Sequence, residues 1–204
     1  TTARQREALL EMRNSVNMLN DMIMKYLQLS KIEAGKLVVE KRRFNLFTEA
    51  IRPVLEGESA YLAIKKMRLF IENEAGLREL ELYADPTLMR IVFSNLITNA
   101  IKYGFEEGVI TIGHVEDAGT WRFHVRNEGY GIPRDKREMI FDKFVRLDRK
   151  ELGRQVGTGL GLYNTKEIVE KHGGRIWAES DEGKWADFFF TLPRDAQPAS
   201  AQDT

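Results

Sequence analysis

The 204-residue chain has no cysteine, which excludes disulfides, zinc–thiolate centres and cysteine nucleophiles and suits a cytosolic setting. Neither sign of charge is in excess. The 31 Lys and Arg match 31 Asp and Glu for a formal net charge of zero. Nucleic-acid binders normally carry a basic surplus that displaces counterions, so no nucleic-acid partner is expected. No stretch approaches the roughly 18 apolar residues that span a bilayer, and the first six residues lack the hydrophobic region of a signal peptide. A cytoplasmic piece without membrane contact is expected, whether or not the full-length protein carries a membrane anchor. Histidine is scarce: His114, His124 and His172 are followed by Val, Val and Gly.

What is present begins with a helix pattern. Leu9, Met12, Val16, Leu19, Ile23 and Tyr26 recur at steps of three and four, a heptad seam that Met18, Met22 and Leu29 broaden toward a bundle helix. Gly35 can close it, since glycine tolerates the left-handed conformation that ends helices. The chain opens inside this pattern, as an excised fragment would. The plain alternative is a helix packed on its own domain. A second long heptad helix is missing from the sequence, so the expected partner is another subunit or a helix lying upstream.

Lys36 to Phe44 reads as a strand, and Asn45 can cap a helix through Phe47, Ile51, Val54 and Leu55 that Pro53 kinks. Met67 to Glu72 and Glu79 to Tyr83 are strand candidates. Asp85-Pro86 opens a helix through Ile101, with cap and first-position proline both favoured. Val109 to Val115 and Trp121 to Arg126 form a hairpin about Ala118-Gly119. Arg134 to Phe144 reads as a short helical stretch, and a polar, glycine-containing segment follows to Gly157. A helix is expected from Gly159 to His172, ended by Gly173-Gly174. Arg175 to Ala178 and Ala186 to Leu192 make a last hairpin. The expected organisation is a partial helical hairpin at 1–35, a domain at 36–193 and a disordered tail at 194–204. Mixed elements without βαβα alternation favour a two-layer α/β sandwich with a mixed sheet.

Four clusters carry chemistry. On the helix from Asp85, Asn99 and Lys102 lie about 40° and about 20° from Asn95 around the axis, so two amides and an ammonium form one polar strip. Such amides offer neutral oxygen to Mg²⁺ beside phosphate oxygens, and Lys102 supplies a point charge. Asn127 to Pro133 (NEGYGIP) follows a strand, and its glycines let backbone approach a ligand. Phe141 and Phe144, three apart on a helical turn, suit a lid anchor. Gly157-Thr158-Gly159-Leu160-Gly161 opens a helix whose free N–H groups suit phosphate. The pattern fits neither a Walker A loop nor the dinucleotide fingerprint. Each cluster alone has a bland reading: a solvated helix face, an ordinary turn, core aromatics, or a glycine-rich helix start with no ligand.

Taken in order, Asn95…Asn99, Gly129…Gly131, Phe141…Phe144 and Gly157…Gly161 resemble the N box, two glycine boxes and F box of sensor histidine kinases. Leu29 to Leu37 (LSKIEAGKL) resembles the end of that family's second dimerisation helix. The resemblance spans roughly residues 8 to 193. It implies the Bergerat-type fold shared with the gyrase, heat-shock chaperone and mismatch-repair ATPases, with ATP under a flexible lid. It further implies γ-phosphate transfer to a histidine on an absent helix, a response regulator as downstream partner, and a homodimer through the helical bundle. Carried over residue by residue, Asn99 binds Mg²⁺, Asn95 supports the phosphates or metal shell, and Lys102 contacts phosphate. Tyr103 packs near the nucleoside, Gly129 and Gly131 border adenine, and Gly157, Gly159 and Gly161 wrap the phosphates; Ile132, Phe144, Thr158 and Leu160 complete the cofactor-binding set the resemblance implies. Arg146 reaches the γ-phosphate when the lid closes. The catalytic assignments are Asn95, Lys102 and Arg146.

Two departures stand out. Where the family has an Asp that accepts from the adenine amino group, this chain has Asn127. A neutral acceptor costs about 1 kcal/mol against a charged one, a five- to tenfold loss of affinity at about that energy. The alternative it raises is a degenerate, non-catalytic nucleotide-binding and dimerisation module. Second, none of the three histidines is followed by an acidic residue, so this piece is expected to bind ATP without labelling itself.

Overall fold

The computed structural model describes residues 12, 16, 19, 22–23, 26–27, 29–30, 32–117, 119–147 and 158–194. In chain order the elements are β1 (Arg42–Asn45), a π-helical turn (Phe47–Ile51), α1 (Arg52–Ile64), β2 (Arg68–Ile71), α2 (Glu74–Glu79), β3 (Glu81–Ala84) and α3 (Pro86–Tyr103). Then come β4 (Val109–Asp117), β5 (Thr120–Glu128), 3₁₀ turns at Arg134–Lys136 and Met139–Phe141, α4 (Gly161–Lys171), β6 (Ile176–Asp181) and β7 (Trp185–Pro193).

Helix α3 starts where local chemistry demands. Asp85 Oδ1 accepts from the N–H groups of Thr87 and Leu88 at 2.9 and 3.1 Å, and Pro86 occupies a position that needs no intrahelical N–H. Its apolar face, from Leu88 through Ile101, is buried. Phe93 sits at its centre with edge-on contacts to Phe123 of β5 and Phe190 of β7, ring centroids 6.1 and 5.6 Å apart. Burying that ring stabilises the fold by roughly 1.5–3 kcal/mol. This packing locks helix to sheet.

The sheet runs β2-β4-β5-β7-β6, with β2 parallel to β4 and the other neighbours antiparallel. A separate antiparallel pair joins β1 and β3. The fold is thus an α/β sandwich on a mixed sheet, as expected. On β7 the buried Ala186, Phe188, Phe190 and Leu192 alternate along one face. The residues between them point to the other face, where Trp177, Phe189 and His124 stack across three strands.

Several expectations need correction. The strand read over Lys36 to Phe44 is confined to Arg42–Asn45, because the backbone before it turns to α3: Glu40 N–H donates to Asp85 Oδ2 at 3.0 Å. Asn45 does cap the next segment, its Oδ1 accepting from Thr48 N–H at 2.9 Å, but Pro53 follows a π-helical turn rather than a simple kink. The stretch from Arg134 to Phe144 is two 3₁₀ turns. Phe144 takes a left-handed φ of 62°, so the two phenylalanines do not share a helical turn. The helix expected from Gly159 starts at Gly161.

In the N-terminal segment, Leu29 and Ile32 are buried, whereas Met12, Val16, Leu19, Ile23 and Tyr26 are helical and exposed. Gly35 closes the segment with φ 63°, its N–H donating to Ile32 O. Among the described residues no helix is long and apolar enough to cross a membrane. Leu9, Met18, Ala118, Gly157, most of the segment from Arg146 to Gly157 and all of the tail but Arg194 lie outside the described residues.

Candidate functional site

Helix α3 carries a polar strip on the turns that leave the core. Asn95 is buried and its Nδ2 donates to Gly161 O at 3.1 Å and Thr165 Oγ1 at 3.2 Å. That amide fastens α3 to the first turn of α4 and sets the spacing between them. One turn on, Asn99 is half-buried, and Lys102 lies with Nζ 5.0 Å from the Tyr103 ring centroid.

These residues open on a cavity of about 290 Å³. Asn95, Thr98, Asn99, Lys102 and Tyr103 line it from α3, Gly161 and Leu162 from the start of α4, and Val145, Arg146, Leu147, Thr158 and Gly159 from the flanking segments. Asn127 of β5, Gly131, Ile132, Ile140, and Ala186 and Phe188 of β7 complete it. The walls are two-natured. The lining combines amides, an ammonium, a guanidinium and the start of α4 with apolar side chains such as Ile132, Ala186 and Phe188. Charge and N–H donors at one end suit phosphates. An apolar slot with one polar group suits a flat heteroaromatic ring.

Asn127 shares the cavity lining with the apolar Ile132, Ala186 and Phe188. It is 1% exposed, and among the described residues its Nδ2 has no hydrogen-bond partner. A buried donor left unmatched costs about 1–3 kcal/mol.

Two glycines shape the rim. At Gly129, β5 crosses the end of α3: Tyr130 N–H donates to Tyr103 O at 3.2 Å, and a Cβ on Gly129 would collide with that carbonyl. Gly159 has φ 69°, and its carbonyl accepts from Phe144 N–H at 3.1 Å; a Cβ there would stand 2.7 Å from Phe144 backbone. The segment after Phe141 is thereby fixed to the glycine-rich approach to α4. Ile132 is held by its N–H donating to Ser180 Oγ at 2.8 Å. Phe141 is buried edge-on against Phe188, and Lys143 Nζ meets Glu33 Oε1 at 2.6 Å.

Of the residues singled out in the sequence, Asn95, Asn99, Lys102, Tyr103, Asn127, Gly131, Ile132, Arg146, Thr158, Gly159 and Gly161 come together around this cavity. Gly129, Phe144 and Leu160 do not line it: Gly129 is used at the strand–helix crossing, Phe144 is 59% exposed, and Leu160 is fully buried. Gly157 lies outside the described residues. Sequence reasoning missed Thr98, Ile140, Val145, Leu147, Leu162, Ala186 and Phe188 of the lining. The alternating pattern of β7 was the available signal, since it assigns Ala186 and Phe188 to one face.

The histidines are all engaged in the fold. His172 Nδ1 donates to Ile168 O at 2.8 Å and Nε2 accepts from Asp85 N–H at 3.1 Å. Burial pushes its pKa down, and Lys41 adds to this, against the opposing pull of the Ile168 carbonyl and Asp85. His124 lies between Asp187 Oδ1 at 3.1 Å and Glu72 Oε2 at 3.2 Å. Burial alone would lower its pKa, but the two carboxylates outweigh it and the net direction is up. His114 is lowered by burial.

Comparison with known proteins agrees with this geometry. The family described as histidine kinase-, DNA gyrase B- and HSP90-like ATPase matches residues 84–196. The sensor protein kinase WalK of Staphylococcus epidermidis is 35% identical over 193 residues, covering 90% of this chain and 29% of WalK. The chain therefore spans less than a third of that relative's length. The catalytic domain of the histidine kinase ThkA, in a nucleotide-free form, superposes with a TM-score of 0.64 at 32% identity, covering 76% of this chain and 96% of that domain. ThkA in complex with the response regulator protein TrrA matches at TM-score 0.66 and 28% identity, over 90% of this chain and 52% of that one. The match runs from the cap of α3 to the end of β7 and encloses both helices that frame the cavity, so this chain belongs to the histidine kinase-, DNA gyrase B- and HSP90-like ATPases and carries the catalytic ATP-binding domain of a sensor histidine kinase.

Proposed function

We propose that the chain is the catalytic module of a two-component sensor histidine kinase, passing the γ-phosphate of ATP to a histidine outside these 204 residues for relay to a response regulator. One observation carries this: a single cavity joins the amide–ammonium strip of α3, the glycine start of α4 and the unmatched amide of Asn127. In this reading Ile132, Ala186 and Phe188 enclose the adenine, and Tyr103 flanks the nucleoside. Lys102, Arg146, Thr158, Gly159 and Gly161 receive the triphosphate. Asn99 fits a magnesium ion because its amide offers a neutral oxygen, which suits a cation already carrying phosphate oxygens and water. Bound there, Mg²⁺ would supply charge neutralisation. Asn95 contributes by position, since its Nδ2 is already committed to α4. Phosphoryl transfer asks little covalent chemistry of a protein, so these side chains act by holding and by balancing charge.

His114, His124 and His172 have structural partners or stacked neighbours, which leaves the acceptor role to a histidine elsewhere. A response regulator is the proposed receiver because ThkA is seen with one. The exposed stripe of Met12, Val16, Leu19, Ile23 and Tyr26 supports dimerisation through a helical bundle. Calorimetric titration of the chain with ATP, with and without Mg²⁺, tests the site. Magnesium-dependent binding is expected, and indifference to millimolar nucleotide removes the reading. Rejoined to an upstream helix bearing a histidine, the chain should form an acid-labile, alkali-stable phosphoryl group. ATP binding without such labelling would favour the scaffold alternative.

A further inference from the structure

A helix leaves its last four carbonyls without intrahelical donors, and α3 ends where it enters the cavity wall. A following glycine in the left-handed conformation is the common remedy. It is not used here: Gly104 is extended, with φ −76° and ψ 154°. Each of the four carbonyls nonetheless has a donor. Ala100 O accepts from Gly104 N–H at 2.9 Å, and Tyr103 O from Tyr130 N–H at 3.2 Å. Ile101 O and Lys102 O both accept from the ammonium of Lys65, at 2.8 and 3.1 Å. The same Nζ donates to Gly104 O at 3.0 Å, one residue past the helix.

Three carbonyls thus match the three donors of one ammonium, and a cation at a helix C-terminus opposes the negative end of its dipole. Lys65 directly follows α1, so one side chain ties the ends of two helices together. Burial pushes its pKa down, and Glu106 opposes that. The side chain is half-buried and lies outside the cavity lining, whereas the turn it grips delivers Lys102 and Tyr103 to that lining. Without these bonds the end of α3 is free to fray, as helix termini do.

We propose that Lys65 is a positioning residue for the nucleotide: from outside the cavity it holds the last turn of α3 and keeps Lys102 where it meets the phosphates. The inference rests on the nucleotide-site reading above and adds to it a residue that touches no ligand. Lys65 acts through Lys102, whose own carbonyl it binds.

The test is a double-mutant cycle in nucleotide affinity. Dissociation constants for Mg²⁺-ATP are measured by calorimetry on the native chain, Lys65→Met, Lys102→Met and the double variant, with urea unfolding to establish that each is folded. Methionine keeps most of the stem and removes every donor. Lys65→Met is expected to weaken binding at least about fivefold. In the Lys102→Met background the same change should cost less than about twofold, because the group it positions is gone. A lysine that only stabilised the fold would cost the same in both backgrounds. A loss below about fivefold in the first background, or above about twofold in the second, overturns the inference. If Lys65→Met does not fold, Lys65→Gln, which keeps an amide donor, takes its place in the cycle. Failure of both to fold makes Lys65 a requirement of the fold and also overturns the inference. If the native chain binds ATP and Lys102→Met loses nothing, the phosphate role of Lys102 fails and takes the inference with it. If the native chain binds no ATP, the nucleotide-site reading itself fails.

Discussion

Arg90 donates from Nε and Nη2 to the carbonyl oxygen of Glu49, at 3.0 and 2.8 Å. Glu49 lies in the π-helical turn four residues before Pro53, whose missing N–H removes one donor from this stretch. The guanidinium on α3 thus supplies two donors to a carbonyl in the turn that leads into α1. It also pins the π-helical turn against α3, which carries Asn95 and Asn99.

Removing that contact should cost stability. Arg90→Ala is expected to destabilise the chain by about 1–2 kcal/mol, in the range of partly exposed charged hydrogen bonds. In a Pro53→Ala background the restored N–H can serve Glu49, so the same change should cost clearly less. Urea unfolding of the four proteins measures the coupling. Additive losses would show that Arg90 acts independently of the proline.

The stability should also depend on pH through His172. Its neutral ring accepts from Asp85 N–H and donates to Ile168 O, and burial lowers its pKa in the fold. The unfolded chain then binds more protons below an ordinary value of about 6.5. The contribution is complete above that pH and is lost as pH falls toward the lowered folded value. Relative to His172→Gln, the native chain should lose stability as pH falls below about 6.5. Parallel profiles would mean that His172 titrates alike in both states.

His124 should show the opposite slope. The carboxylates of Asp187 and Glu72 overcome its burial and raise its folded pKa. The folded chain then holds the proton longer, so the stabilisation is complete below about pH 6.5 and fades as pH rises through the raised value. The advantage of native chain over His124→Gln should therefore shrink as pH rises above about 6.5, as read by denaturant midpoints. An advantage growing over that range would contradict the ion-pair account.

Much of this architecture was legible because its signals are local. Asp85-Pro86 fixes the start of α3 within two residues, and Gly173-Gly174 marks its end for α4. The hairpins show in alternation. Helix α2 was not legible: its six residues are too few for a period, and it starts at Asn73 in a left-handed conformation with φ 46°. The parallel pairing of β2 with β4 joins segments separated by the whole of α2, β3 and α3, and nothing in either strand names its partner. The site divides the same way. Asn95, Asn99 and Lys102 were readable together because one helix spaces them. Ile140, Ala186 and Phe188 converge on Asn127 only through tertiary packing.

Within the site, α3 offers a direct test of the metal assignment. Asn99 half-lies in the cavity wall, outside the core face of Leu96, Ile97 and Ala100. Asn99→Ala should leave stability within about 1 kcal/mol, since alanine is the better helix former. It should weaken Mg²⁺-ATP binding by tenfold or more while leaving the weaker metal-free binding nearly unchanged. Equal losses with and without Mg²⁺ would remove the metal role and leave Asn99 as a simple polar contact.

The two glycines that meet α3 should respond differently to the same added methyl group. On Gly129 a Cβ would strike the Tyr103 carbonyl and crowd Asn127 Nδ2 at 2.6 Å. Backbone must shift, so Gly129→Ala should destabilise by about 1–3 kcal/mol. On Gly161 the closest atom is Asn95 Oδ1 at 3.2 Å, and position 161 is the first residue of α4. Gly161→Ala should therefore fold with stability within about 1 kcal/mol of native, helped by helix propensity. Its methyl group nonetheless sits against Asn95 in the cavity lining at the start of α4, and it should weaken ATP binding at least about tenfold by holding the phosphates off the helix terminus. Chemical denaturation and nucleotide titration on both variants separate the effects. A Gly161→Ala chain that binds ATP as tightly as native would move the phosphates away from the α4 terminus.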